Sequence, residues 1–272
     1  MPPSTPMSLT LAGKTILITG ASSGIGRSTA FEFARTSPTN LKLILTARRI
    51  DRLHEIAGQI REEVGEGVKV CVRKMDVGRE EEVSNLVASL SCEFRDIDVL
   101  VNNAGFMSGV ERAPDIPPSV IDSVWATNVT GLIHMTQAVL PIFKKREHGG
   151  RGDVIMLGSI AGREAYAGGS VYCASKAAVR AFTDALRKEL VGTRIRVISV
   201  DPGQVLTEFN DIRYRGDGEK ADAVYAGSDP LKPDDIAEII VFAVGRRENV
   251  VVADTLVFPT RQASSTHVYR KL

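Results

Sequence analysis

From residue 14 onward the chain alternates between short β-branched apolar runs and stretches of helical periodicity. The runs 14–19 (KTILIT), 41–47 (LKLILTA), 68–76, 97–105, 153–159, 194–203 and 249–258 read as seven strands. Between them, 25–36, 49–64, 79–94, 117–146, 171–191 and 233–245 read as helices. Strand–helix alternation of this kind predicts an α/β fold, with a parallel sheet covered by helices on both faces.

The pattern predicts one domain over 12–272, because no linker divides it. Residues 1–11, rich in Pro, Ser and Thr, read as a disordered tail without the features of a signal or transit peptide. Pro141 predicts a break or kink in the long helix at 117–146. The charged, glycine-containing stretch 204–230 lacks a continuous apolar pattern and reads as a lid-like insertion.

Lys and Arg (34) nearly balance Asp and Glu (33), so no overall field draws in nucleic acid or an anionic membrane. The mixed-sign run Lys144–His148 reads as a solvated loop. Three cysteines without a CxxC, and four scattered histidines, give no disulfide framework or metal site and suit a reducing, cytoplasmic setting. No apolar run reaches the length of a membrane span. The terminal Arg270–Lys271–Leu272 resembles a peroxisomal address but has the wrong first residue.

The first strand runs directly into Thr19-Gly20-Ala21-Ser22-Ser23-Gly24-Ile25-Gly26 and then a helix. In that position backbone N–H groups and the helix N-terminus face a pyrophosphate, as in a Rossmann-type dinucleotide site. An NAD-selective site of this kind places a carboxylate about 20 residues on, at the end of the second strand. Here that strand ends in Ala47-Arg48-Arg49. Guanidinium groups pair with a 2′-phosphate that an acid would repel, so the cofactor expected is NADP, with Arg48 the first choice and Arg49 the second. Asp51 falls in the next helix's first turn, where the dipole already accounts for it.

The glycine turn, Asn102-Asn103-Ala104-Gly105, and Ser159 with Tyr172-x-x-x-Lys176 occur in an order that resembles the short-chain dehydrogenase/reductase family, from about residue 12 to residue 259. The resemblance implies that Asp76 and Val77 flank the adenine and that Asn103, Ala104 and Gly105 line the cofactor. It further implies that Pro202, Gly203, Val205 and Thr207 contact the nicotinamide end, and that Asn128 holds a water linking Lys176 to solvent. Taken alone, Asp76 reads equally as a strand-end cap and Asn128 as a structural hydrogen-bonder. A homotetramer, packed through the helices near 117–146 and 171–191, is likewise implied only by the resemblance.

Tyr172 and Lys176, four apart on a helix, share one face, and Ser159 stands at the C-terminal end of a strand, where α/β sheets place their ligands. Free tyrosine titrates near ~10. An ammonium ~4 Å away contributes about 4 kcal/mol at an effective dielectric of 20, roughly three pKa units. The expectation is a phenol lowered toward neutrality as general acid and base, with Ser159 donating to the substrate oxygen.

A longer match, Gly158–Tyr166, Thr207-Glu208-Phe209 with Arg213–Gly216, and Ala253–Leu256 running to Gln262–Ser264, is similar to the NADP-dependent 3-hydroxy acid (serine 3-) dehydrogenase branch. Small acids of the serine, allo-threonine and 3-hydroxyisobutyrate type are then the implied substrates. Their carboxylate needs a cation, for which Arg213 is the first candidate and Arg163 and Arg215 the others; Arg213 pairing with Glu208 or a neighbouring subunit is the competing expectation. Two alternatives remain: a carbonyl reductase of neutral ketones or aldehydes, and a catalytically silent dinucleotide-binding regulator.

Overall fold

The computed structural model describes residues 7–271. Seven strands, β1 (Thr15–Thr19), β2 (Leu41–Ala47), β3 (Val68–Lys74), β4 (Val99–Asn102), β5 (Arg151–Leu157), β6 (Arg194–Pro202) and β7 (Asp254–Val257), form one sheet in the order β3-β2-β1-β4-β5-β6-β7. Every pairing is parallel. The strand order reverses between β1 and β4, where such sheets open a crevice at their C-terminal ends.

Alternating side chains along each strand divide the core into two layers. Ile16 and Ile18 of β1 join Leu43, Leu45, Val99 and Val101 on one face. There they meet α2 (Gly24–Thr36), α3 (Ile50–Val64) and α10 (Pro233–Val244), which contribute Phe33, Ile56 and Ile240. Leu17, Ile44 and Leu100 point the other way, against α4 (Glu80–Ser89), α6 (Gly131–Lys144) and α7 (Ser170–Glu189). Met135, Val139 and Leu186 fill that layer. No described helix is long and apolar enough to cross a membrane.

Four local expectations change. The long helix is interrupted not at Pro141 but by a π-turn at Ala126–Thr130, between α5 (Pro118–Trp125) and α6. Pro141 sits in the last turn of α6, and the carbonyl it leaves unpaired belongs to Gln137, on the exposed side. The final strand spans only Asp254–Val257, because β6 supplies partners for no more than those four residues. Of the expected tail, Met7–Leu11 form a short helix, α1. Leu11 is fully buried in the core and Thr10 donates to the Gly245 carbonyl at 3.1 Å; residues 1–6 lie outside the described residues. The run after α6 is not fully solvated either: Arg146 folds back onto Asp98 (3.1 Å) and the Ile97 carbonyl (2.9 Å). In the C-terminal tripeptide, Lys271 donates its amide to Gly227 and Arg270 its guanidinium to Ala226 and Val224, while Leu272 lies outside the described residues.

One ion pair is buried between the sheet and the end of its last crossover. Arg196 on β6 grips Asp153 on β5 with two bonds of 2.6 and 2.7 Å. Its remaining donors reach the carbonyls of Val244, Arg246 and Val250. Both side chains are almost wholly shielded, so removing one strands the other. Asp153→Ala is expected to cost about 3–5 kcal/mol of folding free energy, read as a lowered denaturant midpoint. A loss under 1 kcal/mol would show that the pair carries no such weight.

Candidate active site

The crevice at the β1/β4 reversal is a cavity of about 490 Å³. It runs from the glycine turn, past β4 and β5, to the segment after β6. The glycine turn is fixed from below. Asn103 donates its side-chain amide to the Thr19 carbonyl at 2.8 Å and to that of Gly20 at 3.2 Å. The Thr19 hydroxyl in return accepts the amides of Asn103 and Ala104, both at 3.0 Å. Gly20 has φ +65°, and a Cβ there would lie 2.9 Å from Ala104 Cα, so both conformation and space require glycine.

Ser23 precedes α2 but does not cap it, which leaves the first-turn amides without a side-chain acceptor; Gly24 and Ile25 line the cavity, while Gly26 is buried against the Gly20 carbonyl and the Asn103 side chain. Both loop serines instead accept from Arg49: its Nε reaches Ser22 Oγ at 3.2 Å and another guanidinium nitrogen Ser23 Oγ at 2.8 Å. Arg49 also pairs with Glu208 at 2.9 Å, tying the glycine turn to the segment after β6. Arg48 lines the same cavity and has no ion pair or hydrogen bond among the described residues. Asp76 and Val77 line it too, with Asp76 accepting the Gly78 amide at 2.9 Å.

Tyr172 and Lys176 project from α7 into the far end of the cavity. The Lys176 ammonium donates to the Leu157 carbonyl at 2.7 Å and stands 5.9 Å from the centre of the Tyr172 ring. Ser159 opens a 3₁₀ turn (Ile160–Gly162), and its hydroxyl oxygen accepts the Ala161 amide at 3.1 Å, which leaves its proton available to a ligand. Asn128, in the π-turn, donates to the Phe106 carbonyl (2.9 Å) and Ser175 Oγ (3.1 Å) and accepts the Phe106 amide (2.9 Å). A Cβ on Gly105 would lie 3.3 Å from Asn128 Oδ1 and 3.5 Å from Lys176 Nζ, so that glycine leaves the two side chains facing one another.

The expected charge balance is corrected here. Burial raises the Tyr172 phenol above its ordinary value, against the smaller lowering effect of the Ser159 hydroxyl. Burial also lowers the Lys176 ammonium to about 8, opposed by the Asp201 carboxylate. Desolvation disfavours both charged forms and is the largest influence on each. Asp201 drew no notice in the sequence, since nothing around it marks it; it lies beneath the site, holding Ser199 Oγ at 2.9 Å and Arg163 at 2.7 Å.

Two of the three proposed carboxylate-binding arginines are committed elsewhere. Arg163 is paired with Asp201 and Asp254, and Arg215 with Glu111 at 2.6 Å; neither lines the cavity. Arg213 does line it, and it is not paired with Glu208. Its guanidinium donates to the Gly168 carbonyl at 3.0 Å and lies 5.4 Å from the centre of the Tyr166 ring, while its buried Nε has no partner. Pro202, Gly203, Val205 and Thr207 follow β6 along the same wall. The insertion carries α8 (Phe209–Arg213) and α9 (Gly218–Ala223). Its Phe209 ring stands 5.2 Å from that of Tyr172. Tyr166 and Phe209 lie within the stretches similar to the 3-hydroxy acid dehydrogenase branch, but nothing in their spacing assigns them a place in the site.

The short chain dehydrogenase family matches residues 14–216. This chain belongs to that family. The NADP-dependent 3-hydroxy acid dehydrogenase of Schizosaccharomyces pombe is 53% identical over 96% of this chain and 98% of its own length. Sulfoacetaldehyde reductase 2 of Chromohalobacter salexigens is 41% identical, with 92% and 96% covered. The closed form of a serine dehydrogenase complexed with NADP+ superposes with a TM-score of 0.84 at 35% identity, covering 94% of this chain and 99% of that one.

The lowered Lys176 couples stability to pH. Its folded value, about 8, lies below its unfolded value, 10.5, so between those limits the unfolded chain binds more protons and stability rises with pH. Below pH 8 the buried charge burdens the fold by about 3 kcal/mol. Lys176→Met is therefore expected to gain stability over the wild type at pH 7 and to lose most of that gain by pH 10. Chemical denaturation of both proteins across this range checks it; a difference independent of pH contradicts it.

Proposed function

We propose that this protein is an NADP-dependent dehydrogenase of small 3-hydroxy acids, with Tyr172 exchanging the proton with the substrate oxygen and Arg213 holding the substrate's anionic end. At the coarser level the chain is an NADP-dependent oxidoreductase acting on CH–OH groups, in keeping with its family and its NADP-named relatives. The glycine turn, packed tightly against Ala104 at Gly20, and the uncapped start of α2 fit a pyrophosphate. Gly20, Ser22, Ser23 and Gly24–Gly26 would hold it, Arg48 and Arg49 the 2′-phosphate, and Asp76 and Val77 the adenine. Asn103, Ala104, Gly105, Pro202, Gly203, Val205 and Thr207 would enclose the remainder. When bound, NADP exchanges a hydride with the carbinol carbon and, in its oxidised form, brings a positive charge.

The chain's own residues manage the proton. Burial keeps the Tyr172 phenol protonated at neutral pH, so in the reducing direction it donates to the substrate oxygen. Ser159 donates its hydroxyl proton to the same oxygen as charge builds there. Lys176, near 8, stays largely protonated at neutral pH and can restore the proton to Tyr172. In oxidation the direction reverses, and Tyr172 must receive a proton as its phenolate. Asn128 fixes the Phe106 backbone and Ser175, which holds the wall around Lys176 in place.

The unpartnered Nε of Arg213 carries the substrate assignment. A buried guanidinium donor without an acceptor is costly, and a carboxylate completes it in a bidentate pair. Of the other cations on the cavity wall, Arg48 and Arg49 lie at the glycine-turn end and Lys176 is engaged with Leu157. The compounds named for the relatives (3-hydroxy acids, serine and sulfoacetaldehyde) all place an acid group one carbon away from the carbon that reacts.

Steady-state kinetics with NADP and a panel of serine, 3-hydroxyisobutyrate and uncharged alcohols test this reading. A lost charge-assisted hydrogen bond is worth about 1.5–3 kcal/mol. Arg213→Ala is then expected to raise KM for the acids by roughly 10- to 100-fold while leaving uncharged alcohols unaffected. Equal losses on both classes, or better turnover of uncharged carbonyl compounds by the wild type, would favour the neutral-ketone alternative.

A further inference from the structure

A second cavity, of about 420 Å³, opens at the opposite end of the sheet, where the strands begin. Its wall holds seven cationic side chains and three carboxylates. The whole chain carries a net charge of only +1, so this is a local concentration and not a share of a basic surface. All three carboxylates are already matched: Asp98 with Arg146, Asp153 with Arg196 and Glu248 with Arg194. Arg246 is turned onto the Phe242 ring at 4.1 Å and its carbonyl at 2.9 Å. That leaves Lys14, Arg151 and Arg247, whose side chains have no ion pair or hydrogen bond among the described residues.

Three unpaired cations round one concavity repel each other, and an ordinary fold disperses or pairs such charges. A single carboxylate would leave most of this charge unmatched. An anion with several oxygens and at least two charges matches it, and guanidinium forks suit phosphate and carboxylate oxygens alike. A cavity of this volume admits a small organic ion, whereas a duplex needs an extended basic stripe.

We propose that this basal cavity binds a small multivalent oxyanion through Lys14, Arg151 and Arg247. The site is independent of the proposed reaction: Asp153 marks its position on β5 while Leu157, four residues on, carries Lys176 at the catalytic end. A ligand here touches none of the reacting groups.

Isothermal titration of the full chain, saturated with NADP+ so that the upper crevice cannot compete, tests the proposal. Pyrophosphate and citrate serve as probes, and whichever binds more tightly identifies the oxyanion as phosphate or carboxylate. The expected result is one saturable site in the micromolar to submillimolar range, weakening as salt rises. Arg151→Ala with Arg247→Ala should weaken it at least tenfold, and Lys14→Gln alone by a smaller factor, while Arg52→Ala, an exposed cation that lines neither cavity, leaves it unchanged. All four positions bear exposed or half-exposed side chains, so these variants test binding without removing core. No saturable binding of either probe at millimolar concentration, binding indifferent to the basal substitutions, loss in Arg52→Ala, or tighter binding of a short DNA duplex than of either ion would overturn it.

Discussion

Burial of Tyr172 and Lys176 on one face of α7 is the constraint on which the site depends. Charge attraction alone would make the phenol acidic and keep the amine charged. Desolvation works against both charges and wins: the phenol rises and the ammonium falls to about 8. The phenol is thereby held neutral, while the amine, at about 8, keeps most of its charge at neutral pH but gives up its proton more readily than an ordinary lysine. That suits proton donation directly, and it means that forming the phenolate draws on positive charge arriving with the oxidised cofactor. Neighbouring groups set the balance: Ser159 and Arg213 favour the phenolate, Tyr166 opposes it, and Asp201 favours the ammonium.

The parallel sheet makes this burial possible. Strands in the order β3-β2-β1-β4-β5-β6-β7 bring Thr19, Asn103, Leu157 and Pro202 to one edge although they are far apart in the chain. Short hydrogen bonds then fix the junctions, Thr19 with Asn103 at the sheet reversal and Asn128 with Phe106 across from α7. The segment after β6 closes the front. Arg49 joins it to the glycine turn through Glu208, and Phe209 packs beside Tyr172. The lower end of the same sheet is organised by a buried ion pair, Arg196 with Asp153, so that charge is handled differently at the two ends.

The parts legible in the sequence are those whose signal is local. Strand and helix runs carry their own periodicity, and the glycine turn is recognisable because strand, turn and helix are contiguous. Tyr172 and Lys176 were legible for the same reason, being one helical turn apart. Assignments that depend on distant partners fared worse. Arg163 and Arg215 each looked available because Asp254 and Glu111, which engage them, lie 91 and 104 residues away. Arg49, the second choice, proved to be the residue bound to the loop serines, whereas Arg48 lines the cavity unengaged. The sign of the Tyr172 shift was misjudged because burial is a property of the fold and not of the Tyr-x-x-x-Lys spacing. Pro141 drew attention from the π-turn at Asn128, which no residue pattern announces.

The most direct measurement is a spectrophotometric titration of Tyr172 in the cofactor-free protein, isolated by difference against Tyr172→Phe. The account predicts that this phenol ionises above the ordinary tyrosine value of 10 and moves down once NADP+ is added. A phenol already titrating at or below 10 in the protein alone would contradict the claim that burial, and not Lys176, governs its acidity.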